Sequence, residues 1–539
     1  MPELPFYSTV LAIPHRGDYT ISVREHEVKQ IESVKVKPYV CEGSIFQSAS
    51  YRSLEVFPKR VVEYSEPAIL RDFRIIQINI FPLQWDAQSN NLRFSDTIEL
   101  DIEFNDLPSI NEMAEYNGYS PIFAKLYESS IANFAYYRND ELIHVHPRIQ
   151  IIHGHNTDTT FQQKLTEFVA WKRQKGFDVQ VASTQVAGSS NTAIKTYLQN
   201  QYNNPLTRPD FIILIGDTGG SFGVPAWFEN YSSYNGEGDY PYTHLAGGDL
   251  LGDVFIGRIS AENVSQLDIL FSKIYAVEKN INNTPAVAAW LDRILLIGDP
   301  SSSGISTIYT NKFIKERARQ VHPGYSFVEN YSSGFASTIN QAINQGVAFF
   351  NYRGYIGMSQ WSPSSTLVNG FRLPHAVIIT CSTGSYSTGT STTEAFIRLG
   401  SSASPSGALT AIGMATPGTH TGYNNSLTAG IFDGIFTHKM RTMGEALLAG
   451  RLNLHNVYHL SNPTQVSYFA HWCNLMGDPT VDVFVGIPQT LNLAAPTSIP
   501  TGTHTVDFYV TDEFSNPVEA VSVTIFSNQN QSVVAKGFT

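Results

Sequence analysis

Apolar and polar residues alternate with a period of two in Thr20-Ile-Ser-Val-Arg24, Ile75-Ile-Gln-Ile-Asn-Ile-Phe81 and Ile98-Glu-Leu-Asp-Ile-Glu-Phe104. That is the spacing of half-buried strands, and no long amphipathic helix interrupts them, so residues 1–106 are predicted to form an all-β domain. A polar, Tyr-rich connector occupies 107–146. From Pro147 onward continuous apolar runs at 149–152, 177–182, 211–216, 254–257, 294–298, 347–351, 376–381 and 408–413 alternate with helix-period segments at 160–175, 264–280, 308–320, 426–441 and 463–475. Strands that are apolar on both faces need helices on both faces, which predicts a parallel α/β domain over 147–486. In such sheets chemistry gathers where strands end at their carboxyl edge, so the residues just after each strand carry the search for a site. Over 487–539 two alternating runs, 506–511 and 521–526, flank Asn516-Pro517 and read as the opening strands of a small β-sandwich that the chain leaves incomplete.

Composition narrows the class. With 539 residues and 42% hydrophobic side chains the chain is folded and multidomain rather than disordered. Thirty-five Lys and Arg against 47 Asp and Glu leave a net charge of −12, which disfavours nucleic-acid binding through a basic surface. No apolar run approaches the roughly 20 residues of a membrane-spanning helix. The start, Met1-Pro-Glu-Leu-Pro5, lacks the basic and apolar regions of a signal peptide, while abundant Ser, Thr, Asn and Tyr with sparse Lys point to an exported protein whose leader has been removed. The three cysteines, Cys41, Cys381 and Cys473, form neither a disulfide framework nor a C-x-x-C zinc pair, so any cysteine chemistry rests on one thiol.

Cys381 is the best placed of the three. It ends an apolar run and enters the small-residue loop Ser382-Thr-Gly-Ser-Tyr386, where backbone N–H groups can face a carbonyl oxygen; the competing reading is a buried structural thiol. Cys41 lies in the β domain and Cys473 in an apolar helical pattern, and both read as core. A base for Cys381 is sought after the neighbouring strands. His420, in the loop Ala415-Thr-Pro-Gly-Thr-His-Thr-Gly-Tyr423, is the best-placed imidazole, while His375 precedes the Cys381 strand and belongs at the opposite edge. Gly219-Gly-Ser-Phe-Gly223 matches the G-x-S-x-G pattern, yet Pro225 and the Gly-rich stretch beyond show no helix to make the nucleophile elbow. His144-Val-His146 and His153-Gly-His155 lack a carboxylate at matched spacing for zinc. Asp239, Asp249 and Asp253 are compatible with a structural Ca2+ but lack EF-hand order. Gly298-Asp-Pro-Ser-Ser-Ser-Gly304 lacks the Lys-Ser/Thr ending of a phosphate-binding loop.

Several segments taken in order resemble the gingipain family of secreted bacterial cysteine peptidases, whose catalytic domain is caspase-like. Leu4-Pro-Phe-Tyr-Ser-Thr-Val-Leu-Ala-Ile-Pro14, Ser50-Tyr-Arg-Ser-Leu54 and Phe81-Pro-Leu-Gln84 are similar to its β-rich prodomain. Phe211-Ile-Ile-Leu-Ile-Gly-Asp217, Asp253-Val-Phe-Ile-Gly-Arg-Ile-Ser260 and Met476-Gly-Asp-Pro479 resemble its catalytic domain, and the region from about Pro496 resembles the immunoglobulin-like domain that follows. The resemblance implies that Cys381, in Ile379-Thr-Cys-Ser-Thr-Gly384, is the nucleophile and that the N–H groups of Cys381 and Ile356 hold the oxyanion. It also implies that the family's Gly-His-Gly histidine falls at Tyr355, with Ile356 in place of the second glycine. A phenol of pKa about 10 is a poor base at neutral pH. The expected function is therefore peptide-bond hydrolysis of a polypeptide substrate by Cys381 with His420 moving the proton and Asp253 as an auxiliary acid, requiring no cofactor. The alternative is a catalytically inactive surface or peptide-binding protein. The sequence specifies neither cleavage preference nor oligomeric state.

Overall fold

In the computed structural model, which describes residues 4–36, 56–114, 118–138, 146–231, 234–279, 281, 284–498, 502, 505–519 and 521–539, the apolar runs become strands whose two faces enter two different cores. Phe211, Ile213 and Ile215 pack with Ile149 and Ile151 on one side, while Ile212 and Leu214 pack with Ile152, Ile194 and Leu198 on the other. This is the alternation a strand imposes on a run that is apolar throughout.

Ten such strands form one sheet: β1 (Arg148–His153), β2 (Asp178–Ser183), β3 (Phe211–Ile215), β4 (Phe255–Ile259), β5 (Arg293–Gly298), β6 (Ser326–Asn330), β7 (Phe349–Arg353), β8 (His375–Val377), β9 (Thr410–Met414) and β10 (Cys473–Met476). Their order is β2-β1-β3-β4-β10-β9-β8-β7-β5-β6. The helices between them include α1 (Thr159–Gln174), α2 (Asn191–Asn203), α3 (Val264–Glu278), α4 (Ser306–Val321), α5 (Phe335–Gln345), α6 (Thr392–Arg398), α7 (Thr421–Phe436), α8 (Met443–Tyr458) and α9 (Pro463–Trp472).

The sheet is not parallel throughout, as the apolar runs had led us to expect. β10 runs parallel to β4 but antiparallel to β9, pairing Cys473 with Met414 and Met476 with Ala411. The sheet is thus two parallel halves of opposite direction, and the amino ends of β1, β3 and β4 lie at the same edge as the carboxyl ends of β7, β8 and β9. The helix expected over 463–475 stops at Trp472 because Cys473-Asn-Leu-Met476 fills the slot between the halves. Cys473 is therefore a strand residue rather than a helical one, fully buried, with its thiol pushed up to about 12 by that burial.

A buried ion pair secures this seam. Arg258 of β4 donates from Nε and Nη2 to both carboxylate oxygens of Asp239, at 2.8 and 2.6 Å, and from Nη1 to the carbonyls of Gly216, Asp217 and Val224. Asn474 of β10 accepts from the Asp239 N–H and donates to the Glu237 and Trp472 carbonyls. Each guanidinium nitrogen of Arg258, both carboxylate oxygens of Asp239 and the Asn474 amide have partners, which is the condition for a buried pair to be tolerated.

The β-rich segment behaves as expected: two four-stranded antiparallel sheets, one joining Tyr7–Ala12, Phe73–Ile80, Val62–Tyr64 and Ala68–Leu70, the other containing the long ladder of Asp18–Ile31 with Asn91–Asn105. It does not stand apart. Leu70, Phe73 and Ile75 share one apolar cluster with the sheet, and Phe123 of the connector stacks on Phe255 with ring centroids 4.1 Å apart. The C-terminal residues form two two-stranded ladders, Asn492–Ala494 with Tyr509–Thr511 and Ser522–Ser527 with Ser532–Phe538. No helix is long and apolar enough to cross a membrane among the described residues.

Two outcomes follow from this packing. Asp239→Ala leaves the Arg258 guanidinium buried without its carboxylate and lowers stability by about 3–5 kcal/mol, read as a fall in denaturation midpoint. His375, buried with Nδ1 2.8 Å from Thr410 Oγ1, has its pKa lowered by burial to about 4, so it is neutral in the folded chain. A depressed folded pKa means stability present above pH 6.5 and lost as pH falls toward 4. Relative to His375→Asn, wild type should lose about 1.4 kcal/mol per pH unit across that window, measured by denaturation at stepped pH.

Candidate active site

Because the halves run in opposite directions, the loops after β7, β8 and β9 lie on the same edge of the sheet as the starts of β1, β3 and β4. Cys381 sits there, 9% exposed, on a turn that leaves the ladder after Val377. The strand expected to reach 381 ends four residues early because Thr383 Oγ1 takes the Ile378 and Thr380 carbonyls, at 2.7 and 2.9 Å. Ser382 adopts a left-handed φ of 56°, and a Cβ at Gly384 would come within 2.8 Å of the Gly413 backbone, so the turn is pressed tightly against β9. The Cys381 thiol lies 2.9 Å from Thr419 Oγ1.

A cavity of about 710 Å3 opens beside the thiol, lined by Cys381, Gly354, Tyr355, Thr419, His420 and Asn425 among others. His420 is the N-cap of α7, and its Nδ1 accepts the Gly422 N–H at 3.3 Å. An acceptor Nδ1 places the ring proton on Nε2 in the neutral tautomer, so the imidazole serves the helix end in this arrangement, and the hydroxyl of the preceding residue meets the sulfur.

The loop after β7 supplies the opposite wall. Arg353, fully buried, donates to Asn425 Oδ1 at 2.9 Å and to the Ile379 carbonyl, bracing the turns that carry Cys381 and His420. The Gly354 carbonyl accepts from Thr380 Oγ1 and Ser303 Oγ at 2.9 and 2.8 Å. Tyr355 and Ile356 are 50% and 44% exposed, and Tyr355 lines the cavity. Beyond them Met358, Ser359 and Gln360 all take positive φ, at 45°, 54° and 69°. Three consecutive non-glycine residues in that region persist only when surroundings hold them: Ser359 Oγ is 2.8 Å from the Tyr352 hydroxyl and donates to Asp299 Oδ2 at 2.5 Å. Burial raises the Asp299 carboxyl, but hydrogen bonds from Ser301 and Ser359 bring it below its ordinary value.

Cys381, His420 and Tyr355 are thus brought together, and Asp253 is placed elsewhere. Asp253 is fully buried before β4, where its carboxylate accepts the N–H groups of Arg71, Leu245 and Ala246; burial and the Asp249 charge push it up to about 8. It lies on the same edge as Cys381 but under the β-rich domain. Asp249 accepts the Ile69 N–H and Asp239 is paired with Arg258. Among the described residues no group of three or more His, Cys, Asp or Glu side chains converges to hold a metal. The Gly219–Gly223 loop is a short 3-10 turn after β3, at the edge opposite Cys381. His153, which ends β1, is buried and bonded to the Gly154 carbonyl, His155 is exposed, and Cys41 and His144 lie outside the described residues. Thr419, Arg353, Ser359 and Asp299 escaped the sequence reading. Only Asp299, directly after an apolar run, carried a sequence signal.

The family model described as peptidase family C25 matches residues 146–484, and the C25 propeptide model matches residues 1–139. Lys-gingipain W83 of Porphyromonas gingivalis is 22% identical over 93% of this chain, which spans 31% of that relative's length. Gingipain R2 of the same organism is 23% identical over 97% of this chain and 72% of its own. Among solved structures, the Arg specific cysteine proteinase gingipain R superposes with a TM-score of 0.63 at 21% identity, covering 73% of this chain and 89% of its own. A complex of the pro- and mature domains of the Porphyromonas gingivalis enzyme gives the same score at 20% identity, covering 73% and 91%.

If the Thr419 hydroxyl supports a developing thiolate, its removal slows attack by the sulfur. Thr419→Val should lower the rate of Cys381 alkylation by iodoacetamide at pH 7 about tenfold, equivalent to ~1.4 kcal/mol for a hydrogen bond to a charged group, with Cys473 unmodified in both proteins as the internal control.

Proposed function

The chain belongs to peptidase family C25, and from that premise we propose that it is a secreted or cell-surface cysteine endopeptidase that cleaves polypeptides through Cys381. The observation carrying this reading is the position of Cys381: a thiol on a tight turn past β8, opening into a cavity shared with His420. In the proposed reaction the Cys381 sulfur attacks the scissile carbonyl, and its proton passes to the His420 imidazole. The carbonyl oxygen gains the negative charge and is held by the N–H groups of Cys381 and Ile356, neither of which has a backbone acceptor among the described residues. His420 then protonates the leaving amine, and water hydrolyses the thioester. To act so, His420 must release the long 3.3 Å contact with Gly422. The β-rich segment takes the place of a propeptide, Asp249 and Asp253 being engaged by its backbone at Ile69 and Arg71. Residues 487–539 read as the start of an immunoglobulin-like domain, a reading supported by their two antiparallel ladders.

A second reading, a catalytically inactive protein that binds peptides, is favoured by the resemblance, which places Tyr355 and Ile356 at the family's His and Gly positions. The two readings separate in one experiment. Alkylation of Cys381 that persists well below pH 8 and is lost in His420→Ala supports the enzyme, whereas an ordinary thiol profile, unchanged by that substitution, supports the binding protein. In the second case Tyr355→His with Ile356→Gly should raise peptide hydrolysis about 100-fold, the lower range for a positioned general base.

A further inference from the structure

Beyond Cys381 the same cavity runs between the first turns of α4 and α7, where Tyr309, Phe313, Ala429, Val457 and Tyr458 give it an apolar share. The polar side chains lining it include Ser302, Ser306, Thr310, Asn424, Asn425 and Asn453, and no Asp or Glu lines it among the described residues. Behind the wall lies a positive charge, because the buried Arg353 guanidinium bonds Asn425 Oδ1 at 2.9 Å and the Thr421 carbonyl at 3.4 Å, both residues being part of the lining. Asp299 is the acidic group packed on the same loop, but its oxygens are taken by Ser301 and Ser359 and it does not line the space. Each of the two flanking helices is 16 residues long and presents its positive dipole end toward the cavity. Asn424, also in the lining, is 2% exposed and its Oδ1 makes no hydrogen bond, so this acceptor suits the N–H2 of a substrate amide. A Lys or Arg side chain entering this space would meet hydroxyls and amides, but no counter-charge, with a guanidinium behind them. Burying an unpaired cation beside another is strongly disfavoured.

We propose, resting on the reading of Cys381 as a peptidase nucleophile, that this cavity receives the substrate side chain on the acyl side of the scissile bond, refuses Lys and Arg, and accepts a side chain bearing hydrogen-bonding oxygen, amide or carboxylate. The Ser302 hydroxyl and the Asn425 side-chain N–H2 are suited to donate to such an oxygen, and the field of Arg353 favours it. The cleavage specificity of this chain is then set by the absence of a carboxylate at the first turn of α4 and by Arg353 as a positioning residue.

The test uses the full chain and four peptidyl acyloxymethyl ketones that are identical except for Asn, Asp, Lys or Arg next to the ketone. Each labels a nucleophilic thiol irreversibly without needing turnover, and mass spectrometry reads the rate at Cys381. The expected result is labelling by the Asn or Asp probe at least tenfold faster than by either cationic probe. Ser306→Asp, which places a carboxylate in the lining at a helix first turn that tolerates it, should raise labelling by the Arg probe at least tenfold. Equal or faster labelling by the Lys or Arg probe in the wild type overturns the specificity and leaves the peptidase reading standing. Failure of all four probes while iodoacetamide still modifies Cys381 overturns both.

Discussion

A strand in the middle of a sheet must satisfy hydrogen bonds on both sides, and β10 does so by running with β4 and against β9. That geometry turns one half of the sheet upside down relative to the other. Were the sheet parallel throughout, the loops after β3 and β8 would share an edge, and Gly219–Gly223 would compete for the same cleft as Cys381. With the reversal, the edge that carries Cys381 faces the starting ends of β1, β3 and β4 instead, and those ends are where the β-rich domain docks. The Arg258–Asp239 pair and the Asn474 amide matter because they fix the register of the strand on which this reversal depends.

The docking of the β-rich domain follows from the same edge. The starts of strands expose N–H groups and their flanking acids, and here Asp210, Asp249 and Asp253 cluster there. Arg71 answers them, with Nη2 2.7 Å from Asp210 and Nη1 on the Asp253 and Pro209 carbonyls. Gln77 of the neighbouring strand reaches the Asn456 carbonyl on α8, directly before the Val457 and Tyr458 that line the cavity. The domain is thus held by a fully buried guanidinium and a shared apolar cluster, within one helical turn of the site, rather than by a flexible tether.

How legible this was depends on whether a signal was local. Phe211-Ile-Ile-Leu-Ile215 could be placed because every residue in it is buried, whichever face it takes. The alternation of Ile98-Glu-Leu-Asp-Ile102 was equally plain, since one face of that ladder meets solvent. Cys473-Asn-Leu-Met476 was not, because four residues at the end of a helical pattern carry no periodicity of their own, and only the slot between β4 and β9 makes them a strand. The turn at Cys381 was visible as small residues, yet its early exit from the ladder depends on one hydroxyl, Thr383. Asp253 read as a cleft residue only through the family resemblance; what the sequence hid was the β-rich domain whose Arg71 N–H its carboxylate accepts. Thr419 was overshadowed by His420, the residue whose chemistry draws the eye.

That neighbouring pair frames the remaining chemistry. A thiol needs a proton acceptor only as its bond to carbon forms, whereas a helix end needs its cap at all times. His420 can meet both demands only in sequence, by giving up its long contact with the Gly422 N–H. The cost of losing a cap is about 1 kcal/mol, small beside the 10²–10⁴-fold that a positioned base contributes. A histidine after β7 would face no such conflict, since Tyr355 stands exposed on a loop already braced by Asp299, Ser359 and Arg353. The loop architecture is therefore intact, and under the proposed reading His420 can act as a base only once its Nδ1 leaves the Gly422 N–H.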